Sequence, residues 1–194
     1  LCLLIAYPVA YIIANCKIKN KTGLLLLFIV PMWVNFVLRI NALKELLTWI
    51  GVYMKSDTWN IINTILGMVY DFLPFMILPI YTVMLKTDHS LIEAAQDLGG
   101  NKLDVFRNVT IPLSVPGIVS GFTMVFVPSV STFYISQKLG GTGTILIGDI
   151  IETQFQTANN FNLGASLSFV LMILIFICLA VMNRFSDDDG GVIL

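Results

Sequence analysis

The sequence predicts an all-α protein that crosses a membrane several times. Of its 194 residues, 57% are hydrophobic and only 12% are charged, and the mean hydropathy is +0.86. Soluble domains carry about 25% charged residues, so this chain has too little polar material to cover a globule in water. Charges are also absent from four long runs, at residues 1–16, 22–38, 108–137 and 153–183. Together these observations exclude a soluble enzyme, a nucleic-acid-binding protein and a disordered chain.

The runs of apolar residues place five membrane-spanning helices. A span needs roughly 20 such residues at a rise of about 1.5 Å each. The predicted helices lie near residues 1–16, 22–40, 61–85, 111–135 and 163–183. The first is short and begins at the first residue of the sequence, so we expect a sixth span upstream of it. The whole of 1–194 is predicted to form a single transmembrane domain.

The sequence carries no pattern of a catalytic, metal or nucleotide site. His89 is the sole histidine, which excludes a histidine-rich metal site, and the three cysteines lie in apolar runs without C-x-x-C spacing. The glycine-rich stretch 140–144 lacks the Gly-Lys-Ser/Thr that grips phosphates. We therefore expect no metal, no cofactor and no enzymatic activity in this chain, and any ATP chemistry must belong to another one.

The distribution of basic residues predicts which side of the membrane faces the cytoplasm. Seven of them fall on one side of the five spans, at Lys17, Lys19, Lys21, Lys86, Lys102, Arg107 and Arg184. Four fall on the opposite side, at Arg39, Lys44, Lys55 and Lys138. The first side is therefore predicted to be cytoplasmic.

The connections on the outer side are too apolar to be plain loops. Residues 41–60 mix charges with leucine and tryptophan, which suits a short helix lying at the membrane interface. Residues 137–162 include apolar side chains at the spacing of a one-faced helix packed against the outer mouth. Asp149 and Glu152 in this segment are candidates to attract a cation, unless one of them pairs with Lys138.

The longest predicted cytoplasmic loop, residues 86–110, is predicted to hold two short helices. Ser90 and Glu93 have the spacing of a capping box, so the first helix is expected to begin at Ser90. Gly99, followed by a second glycine, supplies its stop. A second helix is expected to restart at Asn101 and to end before the next proline. The two helices would form an elbow on the membrane surface.

Glu93, Ala94, Ala95, Gly99 and Pro112 follow the spacing E-A-A-x3-G-x9-I-x-L-P, with valine in place of its isoleucine at 109 and isoleucine in place of its leucine at 111. This loop resembles the EAA motif in the membrane subunits of ATP-binding-cassette importers. The resemblance implies a permease of the type I importer class. It also implies that the loop is a coupling helix docking into an ATPase subunit, with Glu93 and Gly99 as its main positions. ATP-Mg would be bound by that partner.

Further stretches resemble the permeases of spermidine/putrescine importers. They are IAYPVAYIIA (5–14), VPMWVNFVLRINALKELL (30–47), LPFMILPIY (73–81), IPLSVPGIVSG (111–121), FYISQKLGG (133–141) and LIGDIIETQF (146–155). The resemblance implies a multi-pass protein of the bacterial plasma membrane that imports polyamines. Its partners would be a sister permease, two ATPase subunits and an extracytoplasmic polyamine-binding protein. Permeases for iron, sulfate and thiamine share the loop and remain alternatives.

Asp71 is a candidate for a cationic substrate pathway because it lies near the middle of the third predicted span. A carboxylate at that depth costs about 2.5–3.5 kcal/mol, so it should face a cavity or a partner. Pro74 and Pro79 follow on the same helix and free two backbone carbonyls. Tyr70 and Phe75 add aromatic faces for cation–π contact. The alternative is a protonated Asp71 bonded to a neighbouring helix, with the prolines as plain kinks.

Pro128 is predicted to interrupt the fourth span near its outer third, beside small polar residues that can re-satisfy a broken backbone. It is a candidate for an outer gate or, alternatively, a structural kink.

Two other interpretations of the whole protein stay open. A membrane scaffold without a conducted substrate would need neither an acid in mid-span nor a glycine-hinged elbow. A proton-driven carrier would transport its substrate without any ATPase subunit.

Overall fold

The computed structural model describes residues 1–15, 21–53, 57–141 and 144–190, which form helices and connecting turns without a strand. Ten α-helices lie in these ranges: α1 (Cys2–Asn15), α2 (Lys21–Ile29), α3 (Phe36–Trp49), α4 (Asp57–Lys86), α5 (His89–Asp97), α6 (Lys102–Val105), α7 (Ile111–Ser131), α8 (Tyr134–Leu139), α9 (Ile147–Gln156) and α10 (Phe161–Gly190). The predicted all-α fold is confirmed. Lys17, Lys19 and Lys55 of the charge count lie outside the described residues.

Three stretches of the described chain are long and apolar enough to cross a membrane by themselves. They are Trp59–Lys86, Lys102–Ser131 and Phe161–Met182, which correspond to the third, fourth and fifth predicted spans. The first predicted span appears as α1, an apolar helix of 14 residues.

The predicted second span, 22–40, is wrong as a straight helix, because the chain bends by 102° where α3 begins. Pro31 lies in a short 3-10 turn just before the bend. Asn35 then starts the new helix, its side chain accepting a hydrogen bond from the backbone N–H of Val37 at 2.9 Å. The interfacial helix expected within 41–60 is therefore the second half of α3.

The fourth span also ends earlier than the prediction of 135. α7 stops at Ser131, and Thr132 is extended. Pro128 lies inside α7 without ending it, so the predicted interruption at this residue is wrong. The hydroxyls of Ser129 and Ser131 donate to nearby helix carbonyls, including that of Phe126 at 2.9 Å, which fills hydrogen-bonding capacity around the proline.

The core is built around α4, which packs on α7 along one side. Gly117 and Gly121 of α7 allow the close approach. A Cβ at Gly117 would lie 3.0 Å from the Pro79 carbonyl oxygen, and one at Gly121 would lie 2.8 Å from the Met76 sulfur. The two helices therefore touch backbone to backbone at the turn that Pro79 loosens.

α1 covers a second side of α4 with its small residues. Ala6 and Ala10 are fully buried there, in one cluster with Ile77 and Ile80 of α4. Fully buried alanines let two helices approach closely, which is the usual way helices associate within a membrane.

A second cluster packs α3 and α8 against the N-terminal half of α4. Its buried members are Ile40, Phe72, Ile135 and Leu139. α9 and α10 lie outside this core, and α10 touches α7 and α9. Only 6% of the most apolar window of α10 is buried within the chain, so nearly all of its surface is left for lipid or another subunit.

Candidate functional site: a surface loop and a buried ion pair

The loop predicted between 86 and 110 forms α5 and α6. Glu93 and Ala94 are exposed on α5 and Ala95 is half-buried. No described residue pairs with the Glu93 carboxylate. A charged group and two small side chains therefore lie on the same free helix, open to contact from another molecule.

Two glycines end α5 for different reasons. The N–H of Gly99 bonds to the Gln96 carbonyl at 2.9 Å and that of Gly100 to the Ala95 carbonyl at 3.1 Å, which is a Schellman motif. Gly99 takes the left-handed conformation, with φ +90°, that this motif requires. Gly100 needs to be small, because a Cβ there would lie 2.7 Å from the Ala95 carbonyl oxygen.

The start of α5 differs from the prediction that Ser90 caps it. The helix begins at His89, and Asp88 is the N-cap, its side chain accepting from the backbone N–H of Ser90 at 2.9 Å. Aspartate is as good a cap as serine, and it comes two residues earlier in the chain. The restart at Asn101 is confirmed, since its N–H bonds to the Asp104 carboxylate at 3.2 Å.

The second loop helix does not end before Pro112, contrary to the prediction. α6 continues through a π-helical turn, Phe106–Thr110, directly into α7. The N–H of Ile111 reaches back five residues to the Phe106 carbonyl. Pro112 has no N–H to donate, and a widened turn just before it accommodates the missing bond without breaking the helix. The second helix of the loop is thus continuous with a membrane span.

The same turn is anchored to α1 by aromatic side chains. The ring of Phe106 packs edge-on against Tyr7 and Tyr11, with centroid distances of 5.9 and 5.4 Å. The Tyr7 hydroxyl lies 3.0 Å from the Ser114 hydroxyl of α7. Movement of the loop will therefore be felt by α1 and α7 together.

Apolar side chains surround Glu93 on the surface of the loop. Leu98 is 90% exposed and Leu103 is 77% exposed, and Leu91 is also open to solvent. Large apolar residues left in water next to a free carboxylate are typical of a surface that another protein covers.

Asp71, the second candidate, is almost fully buried in α4 and forms an ion pair with Arg39 of α3. Arg39 also donates through Nη1 to the Pro31 carbonyl at 3.3 Å, across the bend in the chain. The partner that the sequence requires for Asp71 is therefore this guanidinium. Sequence reasoning missed Arg39, which was counted as a charge of an outer connection.

The aromatic candidates beside Asp71 lie in different surroundings. Tyr70 is 42% exposed and lines a cavity of about 190 Å³ together with Arg39 and Pro74. Phe75 packs instead against the cluster that joins α3, α4 and α8. Asp71 lies fifteen residues before the end of α4, roughly 22 Å along the helix, so the ion pair and the loop are separate sites.

The candidates at the outer mouth have structural partners. Asp149 is 7% exposed and accepts hydrogen bonds from the Ser136 hydroxyl at 2.6 Å and the Leu146 N–H at 2.8 Å. Glu152 accepts from the side chain of Gln137 at 2.8 Å. Lys138 lies over the ring of Tyr134 and pairs with neither acid in the described structure. Asp149 caps α9 and ties it to α8 through Oδ2, while its buried Oδ1 has no hydrogen-bond partner among the described residues. Its attraction of a cation stays a prediction.

Similar proteins agree with this architecture. The spermidine/putrescine transport system permease protein PotB of Escherichia coli (strain K12) is 38% identical over 197 residues, covering 95% of this chain and 72% of that protein. The protein of the same name in Haemophilus influenzae is 36% identical and covers 95% of this chain and 68% of its own length.

A solved structure shares the fold. The crystal structure of a bacterial ABC transporter involved in the import of the acidic polysaccharide alginate contains a chain that matches 96% of this one and 71% of itself, with a TM-score of 0.70 at 14% sequence identity. The profile of the binding-protein-dependent transport system inner membrane component family matches residues 6–187. This chain belongs to that family and is a multi-pass protein of the inner membrane.

Proposed function

We propose that this chain is the transmembrane permease subunit of an ATP-driven importer of polyamines such as spermidine and putrescine. The observation that carries the coupling role is the loop. An exposed helix, α5, carries Glu93, Ala94 and Ala95 and ends in a Schellman motif, and the next helix, α6, continues without a break into α7. The similarity to the PotB permeases supports the substrate class.

The proposed coupling step is mechanical. Glu93 binds a cleft of an ATPase subunit, Ala94 and Ala95 permit its close approach, and Gly99 sets the angle at which α5 leaves the elbow. A push on α5 passes through the π-helical turn to Pro112 and α7. The backbone contact of Gly117 with Pro79 then transmits it to α4.

The partners follow from the same proposal. This permease pairs with a sister permease to enclose the pathway, two ATPase subunits bind the two loops, and an extracytoplasmic polyamine-binding protein delivers the substrate. The proposal assigns the binding and hydrolysis of ATP-Mg to the ATPase subunits and assigns no catalytic residue or cofactor to this chain.

Polyamines carry primary ammonium groups, which suit the chemistry beside Asp71. The Tyr70 ring borders a cavity, and Pro74 cannot donate to the Tyr70 carbonyl, so that oxygen is available as an acceptor. An aromatic face contributes about 0.5–2 kcal/mol to a cation. Phe75 is set back in a packed cluster and has a supporting place in this pathway.

The test is uptake of labelled spermidine and putrescine by proteoliposomes that contain the full complex with its binding protein. The proposal expects uptake that requires ATP inside and stops when the ATPase subunits are left out. Uptake that persists without them indicates a proton-driven carrier. Uptake of sulfate, iron or thiamine in place of polyamines reassigns the substrate, and no uptake of any solute by an assembled complex favours a scaffold.

A further inference from the structure

In the buried ion pair of Arg39 and Asp71, the Arg39 side chain is chemically similar to the proposed substrate. A guanidinium and a primary ammonium are both cations that donate N–H groups to a carboxylate. Asp71 sits inside an apolar span, where an unpaired carboxylate is costly, so one cation must accompany it. In this structure that cation is Arg39.

Arg39 is incompletely held in its place. One terminal nitrogen meets Asp71 and the other reaches the Pro31 carbonyl at 3.3 Å, the long end of the hydrogen-bonding range. Its Nε is buried and has no acceptor among the described residues. A buried ion pair is stabilising only when the remaining donors are also satisfied. The position of Arg39 beside the Asp71 carboxylate is therefore only weakly stabilised.

Arg39 lies in the first turn of α3, directly after the 102° bend in the chain. Asp71 belongs to α4, the central helix of the bundle. A change in the bend would carry the guanidinium away from a carboxylate that stays fixed.

A cavity adjoins Arg39, the cationic half of the pair. Its volume of about 190 Å³ is roughly six times the 30 Å³ that a water molecule occupies in the liquid, which is room for an ammonium group and several methylenes. Phe28 and Leu73 give it apolar walls suited to an alkyl chain, while Tyr70 and Arg39 form its polar side. An ammonium in this cavity would meet the aromatic ring first and the carboxylate once Arg39 withdraws.

We propose that Arg39 is an internal substitute for the substrate's ammonium group. It neutralises Asp71 while the pathway is empty and yields the carboxylate to a polyamine when α3 moves. One cation replaces another, so Asp71 is never left unpaired in the membrane. A neutral or anionic solute cannot make this exchange, which gives the site its preference for cations. The inference rests on the proposed import of polyamines.

The test compares two single variants of the full complex, Asp71→Asn and Arg39→Gln. The readout is the dissociation constant for labelled spermidine in the absence of the binding protein. Exchange predicts opposite shifts: Asp71→Asn weakens binding about tenfold or more, and Arg39→Gln strengthens it because the competing cation is gone. A pair that only pins α3 to α4 predicts damage in the same direction, or no shift, and either result overturns the proposal.

Two matched controls lie on the same helix as Arg39. Glu45→Gln removes an exposed acid and Lys44→Gln removes a base that lies over the Tyr53 ring, and both should leave spermidine binding unchanged. If a single variant does not assemble, the double variant Arg39→Gln with Asp71→Asn decides, since its amides keep a contact without charges. Binding weakened about tenfold supports the exchange, and binding within twofold of wild type refutes it.

The same samples separate this inference from the proposed function. If the wild-type complex takes up spermidine but the variants show no opposite shifts, the exchange alone is wrong. If the wild-type complex takes up no polyamine, the proposed substrate is wrong and the exchange falls with it.

Discussion

The loop after α4 and the segment after α8 present acidic residues in opposite ways. In the loop after α4, Glu93 is exposed and no described residue pairs with it. In the segment after α8, Asp149 of α9 is buried beside α8 and accepts hydrogen bonds from Ser136 and Leu146. An exposed and unpaired acid is available to another protein, whereas a buried acid that accepts two hydrogen bonds through Oδ2 holds its own chain together. The two regions should therefore respond differently to the loss of a carboxylate.

The largest effect is expected at the free acid. Glu93→Gln keeps the size of the side chain and removes the charge, so the chain should still insert and assemble. A hydrogen bond to a charged group is worth about 1.5–3 kcal/mol, and about 1.4 kcal/mol already changes an equilibrium tenfold. ATP-driven polyamine uptake in proteoliposomes should fall by at least that factor, with the melting temperature of the complex unchanged.

The control for this variant is Glu45→Gln, which removes an exposed acid from α3. Its uptake should equal that of wild type. Equal loss in both variants would show that surface charge in general, and not the loop, sets the rate, and normal uptake by Glu93→Gln would remove this residue from the coupling step.

The next effect is expected at Gly99, for which the chain offers a matched partner in Gly51. Both have positive φ, +90° and +77°, both have open space where a Cβ would lie, with no atom within 4 Å, and both end a helix in the same motif. A left-handed alanine costs about 1–2 kcal/mol at either place. Both variants should lower stability by a similar amount. Gly99→Ala should also cut uptake several-fold, whereas Gly51→Ala should retain uptake.

Asparagine tolerates the left-handed conformation better than alanine does, so Gly99→Asn should recover part of the uptake. Stability is measured by thermal unfolding of the purified complex and coupling by uptake per ATP hydrolysed. Equal losses of uptake at Gly51 and Gly99 would mean that helix-end strain alone, and not the angle of the loop, is what the assay detects.

Most of the loop's structure could be predicted from the sequence, because it is determined by residues that are close together in the chain. The N–H groups of Gly99 and Gly100 end a helix through bonds to carbonyls three and five positions before them, respectively, and Asn101 restarts one through Asp104. Such signals lie within one turn of the residue they affect. The error at Ser90 has the same scale, since two nearby residues competed for one cap and Asp88 won.

The partners of the buried acids could not be predicted from the sequence, because they lie far away along the chain. Asp71 and Arg39 are 32 positions apart, and Asp149 and Ser136 are 13 apart. Composition predicts that an acid in a span needs a partner, but which base approaches it depends on the bend before α3. That bend arises from Pro31 and Asn35 together, and the apolar run that contains them resembles an ordinary span.

A smaller effect is expected at Asp149, and here it should be on stability. Asp149→Ala leaves the Leu146 N–H without its acceptor and leaves the buried Ser136 hydroxyl with the Phe133 carbonyl alone, and losing a helix cap costs about 0.5–2 kcal/mol. The melting temperature of the complex should drop, while spermidine binding stays the same. Glu152→Gln, which can still accept from Gln137, should change neither. Weaker spermidine binding by Asp149→Ala at unchanged stability would support it as a cation attractor.

The smallest effect is expected at Pro128, the residue whose role changes most between sequence and structure. A gate built on a broken helix requires the proline, and Pro128→Ala would then alter uptake strongly. In the structure α7 is continuous through this position, and the hydroxyls of Ser129 and Ser131 already donate to carbonyls around it. Alanine adds one backbone N–H and improves helix propensity. Uptake should stay within about twofold of wild type, since no contact with a partner helix is lost.

The opposite test is Gly121→Ala on the same helix, where a Cβ meets the Met76 sulfur at 2.8 Å and uptake should fall further than at Pro128. A stronger loss at Pro128 than at Gly121 would place the moving part of α7 at its outer end and not at its contact with α4.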